Sequence, residues 1–550
     1  MKITVISRTI SILSSVGNIG QLLLSVLLLF LFEEVTAHEI ITRVSANAEG
    51  IGGNGASVSP TISADGRYIA FQSDADNLVP EDNNGFTDIF VYDRQTEQMT
   101  RVSVSSSGTE GDFVSFFPAI SSNGRYVAFQ SNASNLVEKD RNRTTDIFVH
   151  DRETGWTNLV SINNEGEYGN SSSSEPVISG DGRYVAFHSN ATNLAPNDTN
   201  KSLDVFVYDR DTEEISPISI SHLGKFVKGA SIGPAISANG RYVAFSSHAQ
   251  KLVKDDQNDS MDVFIRDQET NEIMLVSVAS DGQPGNGPSF APTLSAEGRY
   301  VAFRSTATNL VTNDTNEVED IFVHDRETSE TMLASVSSTG QQANGISFGP
   351  RLSADGRYVA FNSNASNLVA DDDNDSTDVF IHDIQTKQTH RLTLISQSSS
   401  QMLTSSYAPA ISGDGRWVAF ESKAFNLVVN DLNKVADIFV YDRGYYASYN
   451  IATRELYIPV LNVPEIGLFR ASLHLLPGNL IYQFILDRSS SFRIPLEDGI
   501  SSSYALETGI LHLPRLEVFD TPKEIRKFEV EMAFDPQLSI FTVTKLIRIP

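Results

Sequence analysis

The chain of 550 residues lacks cysteine altogether and is poor in positive charge. Without cysteine there are no disulfide bonds, no thiolate metal sites and no cysteine nucleophile. The chain has 41 basic side chains against 69 acidic ones, and its formal charge is −28. Such a charge argues against nucleic acid as a partner, since phosphate binding needs a basic face. Cations or basic partners suit this charge, and so does a solvated acidic surface without a specific ligand.

Long hydrophobic runs are also scarce. The segment Gln21–Phe32 has 12 residues, which is typical of a signal-peptide core and shorter than the roughly 20 residues that span a bilayer. Basic residues precede it, and small residues at Val35 and Ala37 are spaced for cleavage before His38. Residues 1–37 are therefore predicted to be a signal peptide, with an uncleaved membrane anchor as the alternative. Both interpretations place the remainder in the periplasm or outside the cell.

One motif recurs seven times in the chain: Ser-x-Asp/Asn/Glu-Gly-Arg-Tyr/Trp-Ile/Val-Ala-Phe. The intervals between copies are 58 residues five times and 59 once. A unit this short cannot bury its own apolar face, so each copy must pack against its neighbours. The motif glycines are Gly66, Gly124, Gly182, Gly240, Gly298, Gly356 and Gly415.

Each copy predicts four short strands. In the second copy these lie at 115–121, 126–130, 146–151 and 156–162, and the middle two are apolar on both faces. A sheet covered on both sides in this way is typical of a propeller blade. Seven copies fill residues 38–443, which predicts an all-β fold with a seven-bladed β-propeller.

The phase of the repeat predicts how the ring closes. Glu39–Ser45 matches the fourth strand of a copy but precedes the first complete copy, and the last copy ends at Arg443 without a fourth strand. We expect the N-terminal strand to complete the last blade. Such closure removes exposed sheet edges.

The copies resemble the PD40 (WD40-like) repeats of TolB-type propellers. The resemblance is carried by Pro118–Phe129, which reads Pro-Ala-Ile-Ser-Ser-Asn-Gly-Arg-Tyr-Val-Ala-Phe, and by Asp146–Asp151, which reads Asp-Ile-Phe-Val-His-Asp, with their six counterparts. It implies the propeller fold over residues 38–443 but says little about function, because such propellers serve very different proteins. The chain departs from TolB in having seven copies rather than six and no α/β domain ahead of the ring. These departures speak against a role in the Tol–Pal envelope system.

A serine stands three residues before the proline of every copy. A nucleophile is not needed seven times, so these hydroxyls are interpreted as structural groups on the innermost strand. The alternative is a ring of hydroxyls that lines the channel and binds a polar ligand. The serines are Ser57, Ser115, Ser173, Ser231, Ser289, Ser347 and Ser406.

An arginine begins the second strand of each copy and an aspartate ends the third. These two positions are neighbours in an antiparallel pair, so an ion pair within each blade is predicted, and its role is structural. The arginines are Arg67, Arg125, Arg183, Arg241, Arg299, Arg357 and Arg416, and the aspartates are Asp93, Asp151, Asp209, Asp267, Asp325, Asp383 and Asp442.

The loop between the second and third strands contains Asp-x-Asn-x-x-x-Asp in every copy. Carboxylate and amide oxygens are hard ligands that suit Ca²⁺, while Asp and Asn also build turns by bonding to their own backbone. Calcium binding and a metal-free turn therefore both stay open. The residues are Asp82, Asn84, Asp88; Asp140, Asn142, Asp146; Asp198, Asn200, Asp204; Asp256, Asn258, Asp262; Asp314, Asn316, Asp320; Asp372, Asn374, Asp378; and Asp431, Asn433, Asp437.

Residues 444–550 leave the repeat and show a duplication of their own. Tyr449–Pro459 resembles Tyr504–Pro514, and alternating apolar segments follow both. This pattern predicts a small β-sandwich-like domain built from two similar halves, of the kind that binds or docks.

These observations predict an exported, non-enzymatic propeller, monomeric, that binds a protein or polysaccharide partner at the cell envelope; a membrane is involved only if residues 1–37 are retained. The alternative is a glycan lyase or hydrolase using residues at the channel mouth. Such an enzyme would break the repeat at neighbouring blades. The residues that do so form no recognisable acid/base pair; they are His188, His248, Arg304 and Glu421 near the end of the second strand, and Lys225 with Lys228 in a fourth-strand loop.

Overall fold

The structure is a computed structural model. It describes residues 41–443 except 139, 255, 257, 371, 373, 394–404 and 429–430, and beyond them only the backbone of strands between 447 and 548. Every described element is a strand. In this part of the chain there is no helix of the length and apolarity that a membrane crossing requires. The predicted signal peptide or anchor, residues 1–37, lies outside the described residues.

Seven four-stranded antiparallel sheets follow one another along the chain, which confirms the predicted seven-bladed propeller. Six of them, blades 1 to 6, take all strands from one copy. In order these are β2 (Ser57–Ile62), β3 (Tyr68–Ser73), β4 (Asp88–Asp93), β5 (Gln98–Arg101); β6 (Ser115–Ile120), β7 (Tyr126–Ser131), β8 (Asp146–Asp151), β9 (Trp156–Leu159); β10 (Ser173–Ile178), β11 (Tyr184–Ser189), β12 (Asp204–Asp209), β13 (Glu214–Pro217); β14 (Ser231–Ile236), β15 (Tyr242–Ser247), β16 (Asp262–Asp267), β17 (Ile273–Leu275); β18 (Ser289–Leu294), β19 (Tyr300–Ser305), β20 (Asp320–Asp325), β21 (Glu330–Leu333); and β22 (Ser347–Leu352), β23 (Tyr358–Ser363), β24 (Asp378–Asp383), β25 (Gln388–Arg391).

Blade 7 joins the two ends of the repeat region. Its strands are β26 (Ser406–Ile411), β27 (Trp417–Ser422), β28 (Asp437–Asp442) and the N-terminal β1 (Ile41–Arg43). Strand β1 runs antiparallel to β28, with Arg43 opposite Phe439 and Ile41 opposite Tyr441. The predicted closure of the ring is confirmed.

The hydrophobic core lies between successive blades. The second and third strands of each blade pair over six residues in the same register, for example Tyr68 opposite Asp93 and Ser73 opposite Asp88. Each such pair brings two buried phenylalanines together, as in Phe71 and Phe90, whose ring centroids are 6.1 Å apart. Apolar side chains of one blade interleave with those of the next, so no blade is stable alone.

The strand order gives the ring two different faces. The tight turns between first and second strands, and between third and fourth, lie on one side, which we call the turn face. The longer loops between second and third strands, and from each fourth strand to the next blade, lie on the other side, which we call the loop face.

A circle of backbone hydrogen bonds closes on the turn face. In each blade one amide donates to the carbonyl of the same position in the next blade over 2.8 to 3.0 Å, and Gly413 N returns to Ala64 O. A Cβ on Gly413 would lie 3.3 Å from the Cβ of Ala64, so this circle has room only for small side chains. Its members are Ala64, Ser122, Gly180, Ala238, Ala296, Ala354 and Gly413.

The strands after the ring form one nine-stranded sheet in the order β29-β30-β34-β35-β36-β37-β32-β31-β33. The residues between these strands lie outside the described part, so the sandwich of two halves stays a prediction. The strands are β29 (Ala447–Asn450), β30 (Glu455–Val463), β31 (Gly467–Leu475), β32 (Gln483–Leu486), β33 (Arg493–Ile494), β34 (Ser502–Ala505), β35 (Ile510–Thr521), β36 (Glu524–Asp535) and β37 (Ile540–Arg548).

Candidate functional site in the central channel

The recurring serines lie inside the blades. All seven are at most 2 % exposed, and each hydroxyl bonds to a second serine at the end of the next strand over 2.8 to 3.0 Å. This geometry agrees with the structural interpretation and corrects the alternative of a channel lining, because the side chain at this position points at the partner strand. The correction applies to Ser57, Ser115, Ser173, Ser231, Ser289, Ser347 and Ser406.

The predicted ion pairs form in all seven blades on the turn face. Their shortest N to O distances are 2.6 to 2.8 Å. The hydrogen bond from Arg67 holds the pKa of Asp93 at about 2. A feature repeated this uniformly serves the scaffold and marks no single site.

The channel wall carries a bulge in each first strand. Two residues after the serine, one residue adopts a positive φ between 48° and 63°, and the pairing with the second strand shifts there. The bulge residues are Ser59, Phe117, Glu175, Gly233, Ala291, Gly349 and Ala408.

In blades 7, 1 and 2 a long side chain accepts a hydrogen bond from the bulge amide of the next blade. Glu421 accepts from Ser59 N at 2.7 Å, and Gln72 accepts from Phe117 N at 2.9 Å. Gln130 accepts from the next bulge amide, also at 2.9 Å. All three acceptors lie one residue before the end of the second strand. We call this part of the wall, formed by blades 7, 1 and 2, the closed sector.

The other four blades break this rule, and we call them the open sector. At the same position blades 3 to 6 carry His188, Ser246, Arg304 and Asn362, and each has a buried polar atom without a hydrogen-bond partner among the described residues. These atoms are Nδ1, Oγ, Nε and Oδ1 respectively. His188 is 8 %, Ser246 1 % and Asn362 2 % exposed. Leaving such a group unpaired costs about 1–3 kcal/mol, so a water or a ligand is expected to complete it.

Small bulge residues face the open sector. Gly233, Ala291, Gly349 and Ala408 stand where the closed sector has larger side chains. Aromatic rings border the same stretch, since Tyr407 is 39 % exposed and Arg304 lies 5.1 Å above the ring of Phe290. The open sector thus offers room, aromatic surface and unmet hydrogen-bonding groups together.

Charges of both signs project into this region. Glu175 lies 3.8 Å from His188 (Oε2 to Nδ1), over the space left free by Gly233. Desolvation lowers the pKa of His188, and the negative charge of Glu175 opposes the shift. Desolvation also lowers the pKa of Arg351 in blade 6, and the negative charge of Glu175 in blade 3 opposes that shift.

Sequence reasoning found part of this site. His188 and Arg304 belong to the open sector and Glu421 to the closed one, whereas His248 lies exposed in the loop beyond β15 and the two lysines lie between β13 and β14. It missed Glu175, Arg351, Ser246 and Asn362. Glu175, Ser246 and Asn362 can be found by aligning the seven copies and comparing two positions, the bulge residue and the residue before the last one of the second strand.

The Asp-x-Asn-x-x-x-Asp loops lie on the loop face and are built as turns. Asn84 accepts a bond from Phe86 N at 2.9 Å and donates to Asp88 at 2.8 Å and to Gly111 O at 3.1 Å. Burial raises the pKa of Asp204 to about 7 and of Asp256 to about 6. Among the described residues, no group of three or more acidic, histidine or cysteine side chains is arranged to hold a metal. Calcium binding by these loops stays a prediction.

No family model and no curated protein matches the chain. Among solved structures, the chain is similar to a TolB protein of Agrobacterium tumefaciens (12% identity, 64% of this chain and 97% of that one, TM-score 0.36). It is also similar to TolB of Acinetobacter baumannii (14% identity, 72% and 81%, TM-score 0.34) and to an oligogalacturonate lyase in complex with manganese (13% identity, 73% and 92%, TM-score 0.44). TolB propellers are thus among the similar structures, as the repeat motif predicts. At these identities and TM-scores the likenesses carry no information on activity.

Proposed function

We propose that the chain is an exported, non-enzymatic binding module of the cell envelope that holds a protein or polysaccharide partner in the open sector of its channel. The observation that carries this proposal is a run of four consecutive blades in which a buried polar atom at one level of the wall has no partner among the described residues. In the other three blades the side chain at this level accepts a hydrogen bond from a bulge amide. A propeller that served only as a spacer would gain stability if all seven blades formed this hydrogen bond.

The chemistry of the open sector suits an elongated polar partner. Ser246 and Asn362 offer hydrogen bonds, Tyr407 offers a flat apolar surface, and Glu175 and Arg351 offer opposite charges. A peptide backbone and a polysaccharide chain both present hydrogen-bonding groups beside apolar surface. We infer export from the predicted signal peptide. An exported chain would meet either kind of partner at the cell envelope.

Binding to purified envelope proteins and, separately, to envelope polysaccharides tests the proposal by calorimetry on the chain without residues 1–37. We expect one of the two classes to bind, and Arg351→Met together with Ser246→Val to weaken binding at least tenfold. Gln72→Met in the closed sector is the matched control and leaves the affinity unchanged. If the unsubstituted chain, the double variant and Gln72→Met bind with equal affinity, the partner binds elsewhere on the molecule.

A glycan lyase or hydrolase is the second candidate, and the Glu175–His188 pair favours it. Burial keeps a neutral His188 available as a base, and Glu175 lies close to its unpaired Nδ1. Incubation of each bound polysaccharide followed by mass spectrometry separates the candidates. Unchanged polysaccharide supports a binding module, whereas products that disappear in His188→Ala would establish the enzyme.

A further inference from the structure

The seven acidic loops fall into two sets according to one residue of the fourth strand. This residue stands opposite the second buried phenylalanine of each blade. Blades 1, 6 and 7 have Arg101, Arg391 and Arg43 there. Blades 2 to 5 instead have uncharged residues, which are Leu159, Pro217, Leu275 and Leu333.

In the first set the guanidinium lies between the two aspartates of the loop. Arg101 Nη1 is 2.9 Å from Asp82 Oδ1 and 3.5 Å from Asp88 Oδ2. The corresponding distances in blade 6 are 2.7 and 3.5 Å, and in blade 7 Arg43 is 3.2 Å from Asp431. Two buried carboxylates that face one point repel each other, and the arginine compensates this charge.

In the second set no cation of the described residues lies at the same oxygens. Among these residues, Oδ1 of the first aspartate is buried without a hydrogen-bond partner in all four blades, and in blade 4 so is Oδ2 of Asp262. Asp198 is 8 %, Asp256 6 % and Asp262 0 % exposed. The two unpaired oxygens of blade 4 are the counterparts of the two that Arg101 joins in blade 1. The first aspartates are Asp140, Asp198, Asp256 and Asp314.

We propose that the loops of blades 2 to 5 each bind one divalent cation, with Ca²⁺ as the fitting ion, at the position that arginine occupies in blades 1, 6 and 7. Carboxylate oxygens are the hard ligands Ca²⁺ prefers, and water with loop carbonyls can complete its 6–8 positions. With two carboxylates per site, affinities in the range of about 10⁻⁴ to 10⁻³ M are expected, as in extracellular modules. The proposal narrows seven predicted loops to four and is independent of the proposed channel function.

Equilibrium dialysis of calcium-stripped protein at about 0.15 M KCl, where salt screens diffuse attraction, tests the proposal. We expect four Ca²⁺ per chain. Leu333→Arg supplies the missing guanidinium in blade 5 and leaves three, while Leu333→Met keeps four. Arg101→Leu adds a fifth ion, bound more tightly than the others, because Glu110 lies 2.9 Å from the Arg101 nitrogen and becomes a third carboxylate. Arg101→Lys retains a cation and keeps four.

Circular dichroism and melting curves identify a variant that does not fold. This control matters most for Leu333→Arg, because Leu333 packs against the core. If Leu333→Arg does not fold, the stoichiometry of Arg101→Leu alone tests the proposal. Absence of bound Ca²⁺ at concentrations of about 10 mM, well above the expected range, would overturn the proposal. So would a stoichiometry that neither Leu333→Arg nor Arg101→Leu changes, because that result would mean diffuse binding to the acidic surface.

Discussion

The turn face and the loop face of the ring come from the same seven copies, yet the copies agree far more closely on one face than on the other. On the turn face all seven blades form the Arg–Asp pair and join the closed circle of amides. On the loop face the blades split, four against three, at the channel wall and again in the acidic loops. The face that connects the blades is uniform, and the face that varies carries both proposed sites.

Contacts between blades explain the uniformity of the turn face. The motif glycine of each blade lies against the aromatic ring that begins the second strand of the preceding blade. The arginine after the third strand adds a cation–π contact to that ring in five blades, including Arg94 at 3.2 Å from the ring of Trp417 across the closure. A change at such a position disturbs two blades at once. A loop-face residue usually disturbs one.

The largest difference between the faces is expected for glycine substitutions. Gly124 on the turn face has φ +72° and a Cβ there would lie 2.0 Å from Tyr68, whereas Gly108 on the loop face has φ +81° and open space around it. Gly108→Ala should cost about 1–2 kcal/mol from backbone strain alone. Gly124→Ala should cost more than about 4 kcal/mol, as measured by denaturant unfolding. Equal losses for the two variants would show that the ring does not depend on the turn face.

Acid sensitivity should follow the buried histidines near the turn face. Burial lowers the pKa of His382, 2 % exposed, to about 4, while an unfolded chain has about 6.5. The unfolded state therefore binds more protons in this range, and stability falls as the pH drops from about 6.5 to 4, by about 3 kcal/mol in total. Blades 1, 3 and 7 have tyrosine at this position, so His382→Tyr should reduce this loss.

Melting curves recorded between about pH 7 and pH 4 measure this loss of stability, because this interval covers the His382 pKa of the unfolded and of the folded chain. His222→Tyr is the control, because His222 is exposed on the loop face. If both variants shift the pH profile alike, burial of His382 is not the cause.

The two channel sectors should respond in opposite directions to loss of a polar group. Gln130→Met leaves the amide of Glu175 without its partner and should cost about 1–3 kcal/mol. Asn362→Leu removes a buried oxygen that has no partner among the described residues and should be neutral or stabilising by up to about 1 kcal/mol, as is common where function has been favoured over stability. Urea unfolding measures both, and a cost for Asn362→Leu as large as that for Gln130→Met would remove the distinction between sectors.

The repeat made the ring and its turn face predictable, because a fixed spacing carries the register of one copy to all others. The pairing of Arg43 with the strand of Phe439 followed from the phase of the repeat alone. The orientation of Ser57 did not, because the bulge at Ser59 turns the strand and has no composition that marks it. The open sector could not be predicted from the sequence either, because it depends on which side chain of one blade lies close to which backbone amide of the next blade.

The smallest predicted effect concerns Glu175, which sequence reasoning missed, and it tests whether the charged groups of the channel act on one another. The negative charge of Glu175 raises the pKa of His188 against the effect of burial. Glu175→Gln should therefore lower the His188 pKa further, because the protonated imidazole loses a favourable neighbour. Titration of the histidine ring signals by NMR measures the change, with exposed His222 as an internal reference. An unchanged His188 pKa would mean that water screens the pair, and the open sector would then present isolated groups instead of a coupled site.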